Sequence, residues 1–144
     1  MTIQPYLFFA GRCDEAIAFY RGALGAEVTM LLRFKDSPEP PCGDPDPATA
    51  EKIMHCSLRI RGCEIFASDG CDQDSPAHRG FALSLTVPDV AEAERTFAAL
   101  AVQGEVRAPL TRTFFSPAFG MVADRFGIPW LVVATPEPKS AAPA

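Results

Sequence analysis

A chain of 144 residues that is 48% hydrophobic and 22% charged can bury one real core, which excludes a disordered protein and two large independent domains. Its formal charge of −5, with 13 Lys and Arg scattered and nowhere clustered, excludes a phosphate-tracking nucleic-acid surface. The longest uncharged stretches reach about half a membrane span, and no basic and apolar leader is present, so no membrane partner and a cytoplasmic location are expected.

Residues 3–9 are aromatic and branched and read as a strand. Gly11 breaks it, and Ala16, Ile17, Phe19, Tyr20, Ala23 and Leu24 then recur at helical spacing over residues 14–24, with Gly25 as the stop. Residues 27–34 read as a second strand. Five of the 14 prolines crowd between Pro38 and Pro47, so the loop 35–52 is predicted to hold no regular structure. Strands over 53–61 and 63–68 follow, joined by a tight turn at Arg61-Gly62. They close a first module, residues 1–69. A polar connector spans 70–79, and its His78 is expected to be solvated.

The second module, residues 80–135, opens with a strand over 81–87. Asp89 then caps a helix over 90–100, which Gly104 closes. Strands over 105–110, 119–124 and 129–134 complete it, and the tail 136–144 reads as disordered. Both modules follow the order β-α-β-β-β. Ala16 with Tyr20 matches Ala93 with Phe97, and residues 62–66 match residues 127–131, which argues for an internal duplication within a single domain, 1–135. The five cysteines are odd in number and include no C-x-x-C pair, so free thiols are expected, with Cys56 and Cys63 in the core.

Alternation assigns faces to the strands. Around Arg61-Gly62, Arg59 lies opposite Glu64, Ser57 opposite Phe66 and His55 opposite Ser68. The opposite face, Met54, Cys56, Leu58, Ile60, Cys63, Ile65 and Ala67, must cover the helices. Phe81, Leu83, Leu85 and Val87 do the same in the second module, leaving Ala82, Ser84 and Thr86 on the other side. Two half-sheets with polar and aromatic residues turned away from their helices suggest a cup. Phe114, Phe115 and Phe119 are dense enough to wall a pocket for an apolar or planar ligand. Trp130 falls on the core side, Asp124 reads as a turn former, and Arg59 with Glu64 as a cross-strand ion pair.

The run Pro5-Tyr6-Leu7-Phe8-Phe9, then residues 14–20, Leu24-Gly25-Ala26-Glu27, His55 and Ser68-Asp69, resembles the PhnB-like group. Gly120, Val122, Asp124, Phe126, Gly127, Pro129 and Trp130 continue the likeness, which covers about residues 3–134. That group lies in the vicinal oxygen chelate superfamily of glyoxalases, bleomycin-resistance proteins and extradiol dioxygenases. The resemblance implies an α+β fold of two βαβββ modules, forming a curved mixed sheet around a central cavity, and a homodimer. In metal-dependent members each module supplies one ligand from its first strand and a carboxylate from its last. Carried over, those positions are Pro5, Phe66, Ala82 and Leu131, and none of these side chains can hold a divalent cation. No cofactor is therefore expected, and a metal would need a non-standard site.

His55 resembles a histidine common in the group. It could serve as base, acid or ligand, or simply be bonded to Ser68 or the backbone. Neither a nucleophile triad nor a Gly-rich nucleotide loop is present, so methyl transfer finds no support. The expected function is small-molecule binding without the standard metal, in a cavity formed by His55, Ser57, Phe66, Ser84, Thr86, Phe114 and Phe115. The alternative is a lyase, isomerase or dioxygenase-type enzyme using a non-standard site around His55.

Overall fold

The computed structural model describes residues 1–39, 41–71 and 77–136. It divides into two compact units, 1–76 and 77–144. The first contains β1 (Tyr6–Phe8), α1 (Cys13–Leu24), β2 (Glu27–Arg33), the short α2 (Pro47–Ala50), β3 (Ile53–Ile60) and β4 (Cys63–Ser68). Its sheet runs β1-β4-β3-β2, with β1 parallel to β4 and the other neighbours antiparallel. The second contains β5 (Leu83–Val87), α3 (Val90–Ala101), β6 (Glu105–Thr111), β7 (Phe119–Ala123) and β8 (Pro129–Ala134). Its sheet runs β5-β8-β7-β6, with the same pattern of one parallel and two antiparallel neighbours. The fold is thus α+β, and the duplicated order of elements is also a duplicated topology.

Local chemistry explains most boundaries. In α1 the buried residues Cys13, Ala16, Ile17, Tyr20 and Leu24 fall on one stripe, and Gly25 ends the helix at φ 68°, a left-handed conformation that favours glycine. In α3 the Asp89 carboxylate accepts from the Glu92 N–H at 2.8 Å, and Ala93, Thr96, Phe97 and Leu100 are buried. The β3–β4 turn has φ 51° at Arg61 and 82° at Gly62, the signs a two-residue hairpin needs to match strand twist. Ile53, Leu58, Val87, Val122, Ile128 and Val132 are among the largest fully buried side chains of the two cores.

Several expectations are corrected. Loop 35–52 does hold regular structure: a 3-10 turn over Phe34–Asp36, and α2, whose cap Asp46 accepts from the Thr49 N–H at 2.7 Å. Gly104 does not terminate α3. Val102 caps the helix, Gln103 takes the positive φ of 60°, and Gly104 is small because its backbone passes against Ala123 and Asp124. Phe81 lies before β5 and is exposed, since the parallel pairing with β8 begins only at Leu83. Cys63 is exposed at the hairpin end, whereas Cys56 is buried. Cys42 and Cys71 form a disulfide, against the expectation of free thiols throughout. The folded loop brings their Cα atoms to 5.7 Å across a separation of 29 residues, which no local spacing announces. His78 is half-buried instead of solvated. Connector residues 72–76 and the tail beyond Pro136 lie outside the described residues. Among the described residues no helix is long and apolar enough to cross a membrane.

Candidate functional site

The first sheet covers its helix with Leu7, Cys56, Leu58, Ile60, Ile65 and Ala67, all buried. The opposite face is built from alternate residues of three strands. Tyr6 stands beside Phe66 across the β1–β4 pair, and Ser57 beside Phe66 across β3–β4. Tyr6 stacks on Phe8 with centroids 4.9 Å apart and lies 5.9 Å from Phe66, whose ring is 5.3 Å from that of His55. These distances suit offset and tilted aromatic pairs. Tyr6 and Phe8 remain exposed at 41% and 47%, so rings form a surface without sealing it.

One polar pair sits among these rings. Tyr6 Oη lies 2.8 Å from His55 Nδ1. Burial, partly offset by a hydrogen bond with Ser68, pushes the Tyr6 phenol above its ordinary range, so it keeps its proton. Which of the two groups donates follows from the imidazole tautomer. Expected partner Ser68 is engaged elsewhere, donating to the Ile53 carbonyl and accepting from the Gly70 N–H. Ser57 is buried and donates to Glu64 Oε1 at 2.6 Å, which fixes that carboxylate along the rim of the ring cluster. Sequence alternation already gathered His55, Ser57 and Phe66 here. Tyr6 was missed as a site residue, although its alternation with Leu7 in an aromatic strand was a usable signal.

Asp69, the other acid near His55 in sequence, has a structural job. Its two oxygens accept from Cys13 N at 2.8 Å and Ile53 N at 2.8 Å, so it caps α1 from the far end of β4 and ties that helix to the start of β3. Beside it the buried Cys13 and Cys56 sulfurs lie 3.9 Å apart. The contact with Cys56 and burial both push the Cys13 thiol up, which keeps it protonated. Asp124 is the turn former expected. Its Oδ1 accepts from the Phe126 and Ile128 N–H groups and its Oδ2 from Trp130 Nε1, which buries the indole with its polar edge satisfied.

In the second unit Ser84 and Thr86 are exposed, standing beside Leu131 and Val133 on the face turned away from α3. Phe114 and Phe115 are not on a strand. They belong to the loop between β6 and β7, held by Thr113 and by Ser116, whose hydroxyl donates to the Ala134 carbonyl at 2.6 Å. With Val90, Arg112 and Pro136 they border a hollow of about 470 Å³, and Phe115 meets Phe119 edge-on at 5.2 Å.

Strand pairing shows which first-strand residues stand beside Phe66 and Leu131, two of the positions carried over from relatives that hold a metal. The face that carries Phe66 takes Tyr6 from β1, and the face that carries Leu131 takes Ser84 from β5. Pro5 instead uses its carbonyl to accept from Phe66 N. The set so paired is a phenol, a phenyl, a hydroxyl and an isobutyl group. It contains no carboxylate, thiolate or imidazole, and does not fit a divalent cation.

The family model described as Glyoxalase/Bleomycin resistance protein/Dioxygenase superfamily matches residues 2–132. Protein YjdN of Escherichia coli (strain K12) is 37% identical over 140 residues, covering 92% of this chain and 94% of YjdN. The crystal structure of protein PA1353 from Pseudomonas aeruginosa is 40% identical, with a TM-score of 0.82, over 94% of this chain and 98% of that one. A structure from Bacillus cereus titled putative 3-demethylubiquinone-9 3-methyltransferase, PhnB protein, shares the fold at 23% identity and a TM-score of 0.77, over 94% of this chain and 100% of that one. A domain-length family match, two relatives above a third identical and the doubled βαβββ topology agree, and the chain belongs to the glyoxalase/bleomycin resistance protein/dioxygenase superfamily.

Proposed function

We propose that the protein binds a small, partly aromatic molecule on the open face of its first sheet without a metal of the superfamily's usual kind. The observation that carries this reading is the Tyr6–His55 hydrogen bond set among the rings of Phe8 and Phe66. The rings supply apolar area for a flat ligand, and the phenol–imidazole pair supplies orientation. A homodimer is the assembly we expect. A thermal-shift screen of planar aromatic acids and amides, followed by calorimetry on the best compound, tests the reading. His55→Ala should weaken that compound about tenfold, or ~1.4 kcal/mol. Equal affinity in the variant would move the site elsewhere. Stoichiometric metal in the purified protein that is lost in His55→Ala would overturn the reading.

The same pair favours one second reading, an enzyme. A protonated phenol hydrogen-bonded to an imidazole can pass a proton without a metal, which suits isomerase or lyase chemistry. Turnover of any compound from the screen that disappears in Tyr6→Phe while binding persists would favour this reading.

A further inference from the structure

Cys42 and Cys71 join the tip of the Pro-rich loop to the connector that follows β4, and both residues are exposed. The remaining cysteines divide cleanly. Cys13 and Cys56 are buried free thiols, and Cys63 is exposed and free. Hence, among the five thiols, the bonded pair is one that solvent reaches directly. An exposed disulfide is open to attack by a small thiolate, because exchange requires in-line access to one sulfur.

The attachments of the loop show what such an attack would release. Its base is tied down by Arg33, which donates to Asp14 and to the Glu51 carbonyl, by Lys35 on Glu51, and by Lys52 on the Gly11 carbonyl. The tip is held by short-range contacts, such as the bridge between Pro41 and Gly43 and the Asp46 cap of α2. The disulfide is its covalent tie to the connector. Beneath it lies a hollow of about 290 Å³ lined by Phe34, Cys42, Asp44, Asp46, Thr49 and Cys71. Both cysteines form part of that wall.

We propose that Cys42–Cys71 is a reversible thiol–disulfide site that latches the loop tip over this hollow. A low-molecular-weight thiol attacks one sulfur as its thiolate, the Cys42–Cys71 bond breaks, and a mixed disulfide forms. A second small thiol resolves it. The protein gains two electrons and two protons as two cysteine thiols, and the two small thiols leave as one disulfide. Oxidised glutathione runs the exchange in reverse. The base of the loop stays fixed in either state, so the change is confined to the tip.

Counting alkylated cysteines by intact mass on the full chain tests this. Oxidised protein treated with N-ethylmaleimide should take one label, at Cys63. After dithiothreitol it should take three, and all five only when denatured. Returning the reduced protein to oxidised glutathione should restore one label. Asp-N cleavage before the exposed Asp44 should accelerate at least tenfold on reduction, and Cys42→Ser/Cys71→Ser should be cleaved fast with or without reductant. Three labels before reduction would show that no bond forms, and failure to return to one label would remove the reversibility. An unchanged cleavage rate on reduction would remove the latch.

Discussion

At the scale of the residue, the structure separates groups that chemistry would rank alike. Asp69, Asp124 and Glu64 are all carboxylates near strand ends. The first two spend their oxygens on backbone and indole N–H groups, while Glu64 accepts from a serine at the edge of the aromatic face. Removing Asp69 strands two buried donors, each costing about 1–3 kcal/mol. Asp69→Ala should therefore lower unfolding stability by roughly 2–5 kcal/mol, measured by urea denaturation. A loss under about 1 kcal/mol would mean water replaces the carboxylate. His78 is legible only in three dimensions. Its Nε2 is buried without a hydrogen-bond partner, and burial depresses its pKa, partly offset by the charge of Asp124. The folded state thus rejects a proton that the unfolded state takes up near ~6.5, so stability is full above that pH and declines as pH falls through the lower folded value. Melting temperature should drop between about pH 7.5 and 5.5, and His78→Phe should flatten the drop. An identical profile in the variant would assign the drop to other groups.

At the scale of the element, turn chemistry was readable and register across a parallel pair was not. The two-residue turn at Arg61-Gly62 fixes the pairing of Arg59 with Glu64 and Ser57 with Phe66, as the sequence alone implied. The β1–β4 register depends instead on a helix and two strands lying between them in sequence. This is why the β1 residue beside Phe66 is Tyr6, one place from the Pro5 to which the resemblance pointed. Glycine tells a similar story. A Cβ on Gly104 would lie 2.3 Å from the Ala123 carbonyl oxygen, whereas one on Gly22 in α1 meets nothing within 4 Å. Gly104→Ala should cost about 1–3 kcal/mol, and Gly22→Ala should add about 0.5–1 kcal/mol. Reversed signs in denaturation midpoints would contradict both packing arguments.

At the scale of the whole molecule, the two units share one topology and differ in the chemistry of their open faces. Both units keep one parallel and two antiparallel neighbours, a helix on one face and an open face opposite. The first open face is aromatic, with one phenol–imidazole pair, while the second carries Ser84, Thr86, Leu131 and Val133. Order and hydrophobic period revealed the shared plan, because the plan is repeated in local patterns. The disulfide, the hollow beneath it and the half-buried His78 came from tertiary contacts that have no local pattern. On acidification the ion pair of Arg33 with Asp14, which holds that carboxyl below its ordinary range, contributes fully above about pH 4 and is lost below it.

Division of the chain into two units also sorts its natural probes. All five cysteines fall in the first unit, and the single tryptophan, Trp130, is buried in the second. Alkylation of Cys13 and Cys56 therefore clocks the opening of one half, and indole emission follows the other. A single denaturant series, read through sulfur and through fluorescence, measures each half of an unlabelled protein by its own signal.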